Sequence, residues 1–247
     1  MISMVKLSDR LKCVAGLITP GLTVADIGCD HGYLPIYLVQ NGISESVIAS
    51  DVNVGPLEKA IDNIEMYGLS KCIDTRLSNG LKMFEPSEAQ CIVMAGMGGN
   101  LVIDIMVQGS DITDSAEELI LQPQSDIERV RRYLQSNGFM IISEAMVFED
   151  GKFYPMMKAI HGEQHWDRDI YFVYGKILLR EQNPVLHQFL IQEKDYLVDL
   201  YSNLSCAEQT EHVRQRLIEV ERKLTYNEEA LEMITSENPV EIDRVLK

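Results

Sequence analysis

The chain has 247 residues, 46% of them hydrophobic, and a formal net charge of −16 from 22 basic and 38 acidic side chains. That length accommodates one large domain or a domain with an appendage, and the composition supplies a core and excludes a low-complexity chain. The acidity repels phosphate in bulk, so a nucleic-acid partner requires a locally basic face.

No apolar run approaches the roughly 20 residues that span a bilayer. The first residues, "MISMVKLSDRLKCVAGL", lack the apolar core and cleavage site of a secretory leader. Five cysteines, Cys13, Cys29, Cys72, Cys91 and Cys206, are scattered without a CxxC pair. They read as reduced thiols rather than a disulfide framework or zinc site. The expectation is a cytoplasmic monomer with no membrane partner.

In chain order, Leu7, Leu11, Val14 and Ile18 recur at helical spacing, and Pro20-Gly21 breaks that helix. "LTVADIG" reads as a buried strand, followed by a helix from Tyr33 to Asn41. "SVIASDV" is a second strand, with a helix after it in which Pro56 takes an early position. "CIDTRLS" and "CIVMAG" are the third and fourth strands; a Gly-rich turn and a helix from about Asn100 follow the fourth. "ELILQPQ" is a fifth strand, and residues 126–136 form another helix. Such alternation predicts a parallel, doubly wound α/β sheet. Then "FMIISEAMVFED" and "KFYPMMKAI" form two strands joined by Asp150-Gly151, a favoured hairpin dipeptide. A parallel sheet ending in an antiparallel hairpin is the pattern of class I methyltransferases.

"HGEQHWDRD" reads as a linker, dividing a Rossmann-like domain at 1–162 from a helical region at 163–247. Beyond it, Leu186, Leu190, Glu193, Leu197, Leu200 and Leu204 form one heptad-like seam. Val213, Leu217, Val220, Leu224, Asn227, Leu231 and Ile234 form a second. Each has one polar member, and together they predict an antiparallel helical hairpin. Asn238-Pro239 suggests the start of a further short helix.

In an open parallel sheet, ligands bind beyond the carboxyl ends of the strands, where strand order reverses. Four features fall at such ends. Gly28 and Gly32 bracket the turn after strand one, where backbone approaches a ligand closely. Asp51 ends strand two, where a carboxylate accepts both hydroxyls of a ribose. Ser78, Asn79 and Gly80 follow strand three, beside the expected position of an adenine. Ala95 to Gly99, "AGMGG", follow strand four and leave an open floor. A dinucleotide fingerprint requires glycine at 28, 30 and 33, but Asp30 and Tyr33 stand at two of those positions. Asp26, Asp30 and His31 lack a nearby second His or Cys at ligand spacing, so no metal is expected. The successive strand-end order points to S-adenosylmethionine (SAM). Asp30 itself reads either as a functional carboxylate or as the cap of the next helix, and His31 either as a site residue or as a packed histidine.

"LSDRL", "VADIGCDHGYLP", "VGPLEKA", "AGMGGNL", "LILQP" and "EDGKFYP" resemble, in order and spacing, the bacterial tRNA (adenine-22-N1)-methyltransferase family over residues 6–160. The chain departs from it at Cys29 and Gly32, where Ser and Ala are frequent. Further departures are Ser78-Asn79-Gly80, where Gly-Asp-Gly is frequent, and Gln90, where an acid is common. The resemblance implies a SAM-dependent enzyme that methylates N1 of a tRNA adenine, with a Rossmann-like domain and a helical hairpin that helps hold tRNA. It implies Asp30, His31 and Tyr33 at the chemistry. For the cofactor it implies Asp26, Gly28, Cys29, Gly32, Asp51, Val52, Ser78, Asn79, Gly80, Ala95 and Gly96. For the substrate the candidates are Met97, Gly98 and Gly99, and a basic strip joining Arg10, Lys12, Arg131 and Lys152 to the mouth of the site would support RNA. Two rival readings are a SAM-dependent methyltransferase for another substrate and a non-catalytic SAM- or RNA-binding protein.

Overall fold

The computed structural model describes residues 4–236. One compact unit ends at His165 and a second starts at Trp166. The first holds a seven-stranded sheet: β1 (Val24–Ile27), β2 (Val47–Asp51), β3 (Ile73–Leu77), β4 (Cys91–Met97), β5 (Glu118–Pro123), β6 (Phe139–Glu149) and β7 (Lys152–His161). Their spatial order is β3-β2-β1-β4-β5-β7-β6. The first five strands are mutually parallel, and β7 pairs antiparallel with both β5 and β6.

Every residue of β1, β2 and β5 is buried, as expected for central strands covered on both faces. The covering helices are α1 (Asp9–Leu17), α2 (Tyr33–Gln40), α3 (Val54–Met66), α4 (Gly99–Gln108), α5 (Ser110–Ser115) and α6 (Ile127–Ser136). Helix α2 neighbours both α1 and α3, while α4 neighbours α5 and α6. The two groups follow from right-handed crossovers that step outward from β1 in one direction and from β4 in the other. At the far edge, Asp150 and Gly151 take left-handed φ values of 49° and 76°, and Glu149 pairs with Lys152 across this two-residue turn.

The second unit starts with a π-helical turn (Tyr171–Gly175), which leads into α7 (Lys176–Arg180), α8 (Pro184–Cys206) and α9 (Glu211–Thr235). The Asn183 side chain caps α8 by accepting from the N–H groups of Val185 and Leu186, both at 3.0 Å. Helices α8 and α9 pack antiparallel along the two seams. The polar members of the seams meet: Asn227 Nδ2 donates to Glu193 Oε2 at 2.9 Å, and the Tyr174 hydroxyl donates to the same oxygen at 2.6 Å. Such a buried polar layer fixes register at some cost in stability. The π-helical turn, α5 and α7 were not legible in the sequence; each is five or six residues long, too short for a periodic signal. Asn238-Pro239 lies outside the described residues.

Candidate active site at the carboxyl ends of β1 and β4

Strand order reverses between β1 and β4, and the chain leaves β1 through an unusual turn. Gly28, Asp30 and Gly32 all have left-handed φ, at 80°, 50° and 73°. Glycine takes this conformation freely, and aspartate is among the few other residues that tolerate it. The turn is fixed from β2 and α3. The N–H groups of Gly28 and Cys29 donate to the Ser50 carbonyl at 2.8 and 2.9 Å. Asn63 Nδ2 donates to the His31 carbonyl at 2.9 Å. Gly32 closes against α3, where an added Cβ would lie 3.1 Å from that of Ala60.

Asp51 is buried at the end of β2. Its Oδ1 accepts from the Asn53 N–H at 2.8 Å and its Oδ2 from the Asp30 N–H at 3.3 Å. Beside it, Val52 exposes an apolar side chain. Helix α2 has Gly32 as its N-cap and no capping side chain, so Asp30 does not cap it. The exposed Asp30 carboxylate instead lies 3.5 Å from His31 Nε2. The His31 ring is 6.0 Å from that of Tyr33.

Asp30, His31 and Tyr33 border a cavity of about 300 Å³ that Asp26, Gly28, Ala95, Gly96, Arg10 and Gln124 also line. Asp26 is 4% exposed, and its carboxylate accepts no hydrogen bond among the described residues. Burial, with a further push from the Asp51 charge, raises its pKa to about 7. Burial first, then the Asp26 and Asp51 charges, pushes the Cys29 thiol far above its ordinary value. Cys29 is therefore a neutral wall of the cavity and no nucleophile. Among the described residues no cluster of His, Cys, Asp and Glu could hold a metal ion, and no helix is long and apolar enough to cross a membrane.

The floor differs in part from the expectation. Gly96, with φ 81°, is the extra residue of a β-bulge between Ala95 and Met97. It is exposed and open to the cavity. Met97 packs back on the first turn, since a Cβ on Gly28 would meet its Cε at 2.4 Å. Gly98 is the N-cap of α4. Gly99 is buried; its N–H donates to the Ser125 carbonyl at 3.0 Å, and a Cβ there would lie 2.4 Å from the same oxygen. Gly99 therefore serves close packing and does not form the open floor.

After β3, the buried Ser78 hydroxyl donates to the Gly80 carbonyl at 2.7 Å and accepts from the Met83 N–H at 3.3 Å. Ser78 thus builds the turn that leaves Asn79 exposed. Gly80 has φ 60° and lies against Ile105. Asn79 borders a second, smaller cavity of about 100 Å³ together with Leu101 and Asp104.

The expected basic strip does not form as a unit. Arg10 reaches the first cavity. Lys12 is exposed on α1 and pairs with Asp9 at 2.8 Å, and Lys152 is exposed beside the hairpin turn. Arg131 is only 1% exposed and forms a buried ion pair with Glu144 at 2.9 Å. It faces β6 from the inner side of α6, so it cannot serve as a surface phosphate contact. Two site residues were missed, Gln122 and Gln124. The signal available was a polar residue closing an otherwise apolar strand, "LILQPQ".

A reversing parallel sheet with an antiparallel hairpin edge, a glycine turn after β1 and an acid ending β2 together define a class I methyltransferase. The family model for a methyltransferase domain matches residues 7–157. The chain belongs, more narrowly, to the tRNA (adenine(22)-N(1))-methyltransferase family. It is 34% identical to the Bacillus subtilis protein of that name over 236 residues, 92% of this chain and 98% of the relative. A putative tRNA (m1A22) methyltransferase from Streptococcus pneumoniae, solved in complex with S-adenosyl-L-methionine, is 33% identical with a TM-score of 0.83. The match covers 92% of this chain and 100% of that one. TrmK from M. capricolum, solved with S-adenosyl-homocysteine, is 26% identical with a TM-score of 0.80, over 92% of this chain and 99% of that one.

Proposed function

We propose that this protein transfers the methyl group of SAM to N1 of adenine 22 in tRNA, the activity named for its Bacillus subtilis relative. The observation that carries the reading is the division of labour around one turn. Asp26 is buried in the cavity wall and Asp51 is buried against the Asp30 N–H, while Asp30, His31 and Tyr33 line the cavity from more exposed positions.

The residues present fit the cofactor. Asp26 is a buried carboxylate without a donor, suited to a cationic amino group. Asp51 is held by two backbone N–H groups with its remaining lone pairs available to ribose hydroxyls. Gly28, Gly96 and Ala95 let a ligand approach the backbone, and Cys29 and Gly32 hold the turn in shape. Val52 offers an apolar face, and Asn79 an amide, to the adenine of the cofactor. When bound, SAM supplies an electrophilic methyl group.

Adenine N1 carries an in-plane lone pair, so no proton has to leave it before methylation. The protein's task is to align the base and to offset the positive charge it gains. Asp30, at the mouth, accepts from the N6 amino group and provides that negative charge. His31 and Tyr33 form an aromatic wall for a base drawn out of its stack. Main-chain groups of Met97 and Gly98 border the base, and Lys12 and Lys152 are exposed cations for the tRNA backbone. The C-terminal helical hairpin extends the tRNA contact.

The test is transfer of labelled methyl from SAM to separate tRNA, protein and small-metabolite fractions. Label confined to tRNA is expected. Label in either of the other fractions, or no turnover, would overturn the reading.

A further inference from the structure

Across the reversal the strands run β1-β4-β5, so the turn after β1 and the end of β5 flank the floor that β4 provides. Neighbouring strands lie about 4.8 Å apart, which sets these two walls on the order of 10 Å apart. A purine with hydrogen bonds on both of its edges fits a gap of that size.

Two glutamines close the β5 side, and they differ. Gln122 is fully buried, and its Oε1 accepts from the Gly96 N–H at 3.1 Å and from Arg10 Nη1 at 2.7 Å. Both lone pairs of that oxygen are used, so Gln122 holds the bulge in the floor and has no acceptor left for a ligand. Gln124 is exposed and lines the cavity. Its backbone is fixed, because Pro123 pairs with Met97 and the Gln124 N–H donates to the Met97 carbonyl at 2.8 Å. Its side-chain amide makes no hydrogen bond among the described residues. That amide reaches the bulge, since a Cβ added to Gly96 would lie 3.8 Å from Gln124 Nε2. Gln124 therefore brings one free donor and one free acceptor to the rim of the open floor.

The β1 side of the cavity carries Asp30, His31 and Tyr33. We infer that Gln124 reads the far edge of the target adenine, its Oε1 accepting one N6 hydrogen while its Nε2 donates to N7. The inference rests on the tRNA-methylating reading above, which gives the other N6 hydrogen to Asp30. A side-chain amide matches this donor-and-acceptor edge of adenine bidentately. Guanine has an oxygen in place of the amino group, and the same amide would set oxygen against oxygen. Held from both sides, the base cannot turn in its own plane, and N1 stays aimed at the methyl donor.

The test measures single-turnover kcat/KM for methyl transfer to tRNA carrying adenine or 7-deazaadenine at position 22. The analogue lacks the N7 acceptor. Its altered N1 basicity and any change in tRNA folding act equally on every protein, so they cancel when adenine-to-7-deazaadenine ratios are compared between proteins. The wild-type ratio is expected to exceed that of Gln124→Met by about fivefold or more, the loss typical of one hydrogen bond. Gln124→Glu keeps an acceptor for N6 but loses the donor to N7, so its ratio is expected to fall at least as far. Because the Gln124 side chain bonds nothing in the fold, both variants are expected to melt with the wild type and to keep its calorimetric SAM affinity. Equal ratios in the wild type and both variants would overturn the inference. A marked loss of SAM affinity in Gln124→Met would assign Gln124 to the cofactor and overturn it as well. Failure of the wild type to methylate the adenine-containing tRNA would instead sink the reading on which the inference rests.

Discussion

Asp51 Oδ2 accepts a hydrogen bond from the backbone N–H of Asp30 at 3.3 Å. This contact ties the end of β2 to the left-handed residue at the mouth of the cavity. The acid assigned to the cofactor ribose therefore also shapes the turn that carries the acid assigned to the base. Asp51→Ala removes the ribose acceptor and the anchor of that turn together. SAM affinity measured by calorimetry is expected to fall by about tenfold or more. An unchanged affinity would remove Asp51 from cofactor binding.

Asp30→Asn separates charge from shape. Asparagine tolerates the left-handed conformation as aspartate does, and the N–H to Asp51 is retained. Because Asp30 does not cap α2, stability is expected to stay close to wild type by thermal melting. SAM affinity is expected to hold within about twofold, and single-turnover methyl transfer to fall at least about tenfold, typical of losing one charged group in the transition state. Full transfer activity would leave Asp30 as a turn residue only.

Asp26 gives the site a pH dependence of definite sign. Its carboxyl is raised from 3.8 to about 7 in the fold, chiefly by burial. The folded protein therefore retains a proton that the unfolded chain loses near pH 4. Stability relative to Asp26→Asn falls as pH rises from about 4 to about 7, and the deficit is full above that range. Asp26→Asn is expected to melt higher than wild type at pH 8, with the two converging near pH 4. Cofactor binding has the opposite trend, because a cationic ligand prefers the ionised carboxylate. Wild-type SAM affinity is expected to be about tenfold weaker at pH 6 than at pH 8, and the Asn variant weaker throughout with a flat profile. Equal wild-type affinity at the two pH values would contradict the assignment.

The Arg131–Glu144 pair, 1% and 0% exposed at the side chains, is structural. Glu144→Ala removes the acid paired with a buried guanidinium and is expected to cost about 3 to 5 kcal/mol in urea unfolding. The same substitution is expected to leave the salt dependence of tRNA binding unchanged, since neither partner reaches solvent. A changed slope would return Arg131 to the tRNA surface.

The order of strands, the hairpin edge and the helical seams were legible because each rests on a local pattern: alternation of buried runs, an Asp-Gly turn, and 4,3 spacing of apolar residues. Asp26, Asp30 and Asp51 were legible as candidate site residues because a strand's carboxyl end is a place that sequence order alone identifies. What local pattern does not carry is the partner of a charged side chain. Arg131 looked like its neighbours, the exposed Arg129 and the half-buried Arg132, because the acid that pairs with it lies on a strand 13 residues away. Gln122 was overlooked because its task depends on a bulge in the adjacent strand. Glu193 and Asn227 were each legible only as the polar member of a seam, and the pairing of α8 with α9 makes them a matched layer.

The most direct measurement is mass mapping of tRNA after incubation with this protein and SAM. A single added methyl, recovered as N1-methyladenosine at position 22 and missing when that adenine is replaced, is the expected result. A methyl on another nucleoside or another position, or none, would contradict the assignment.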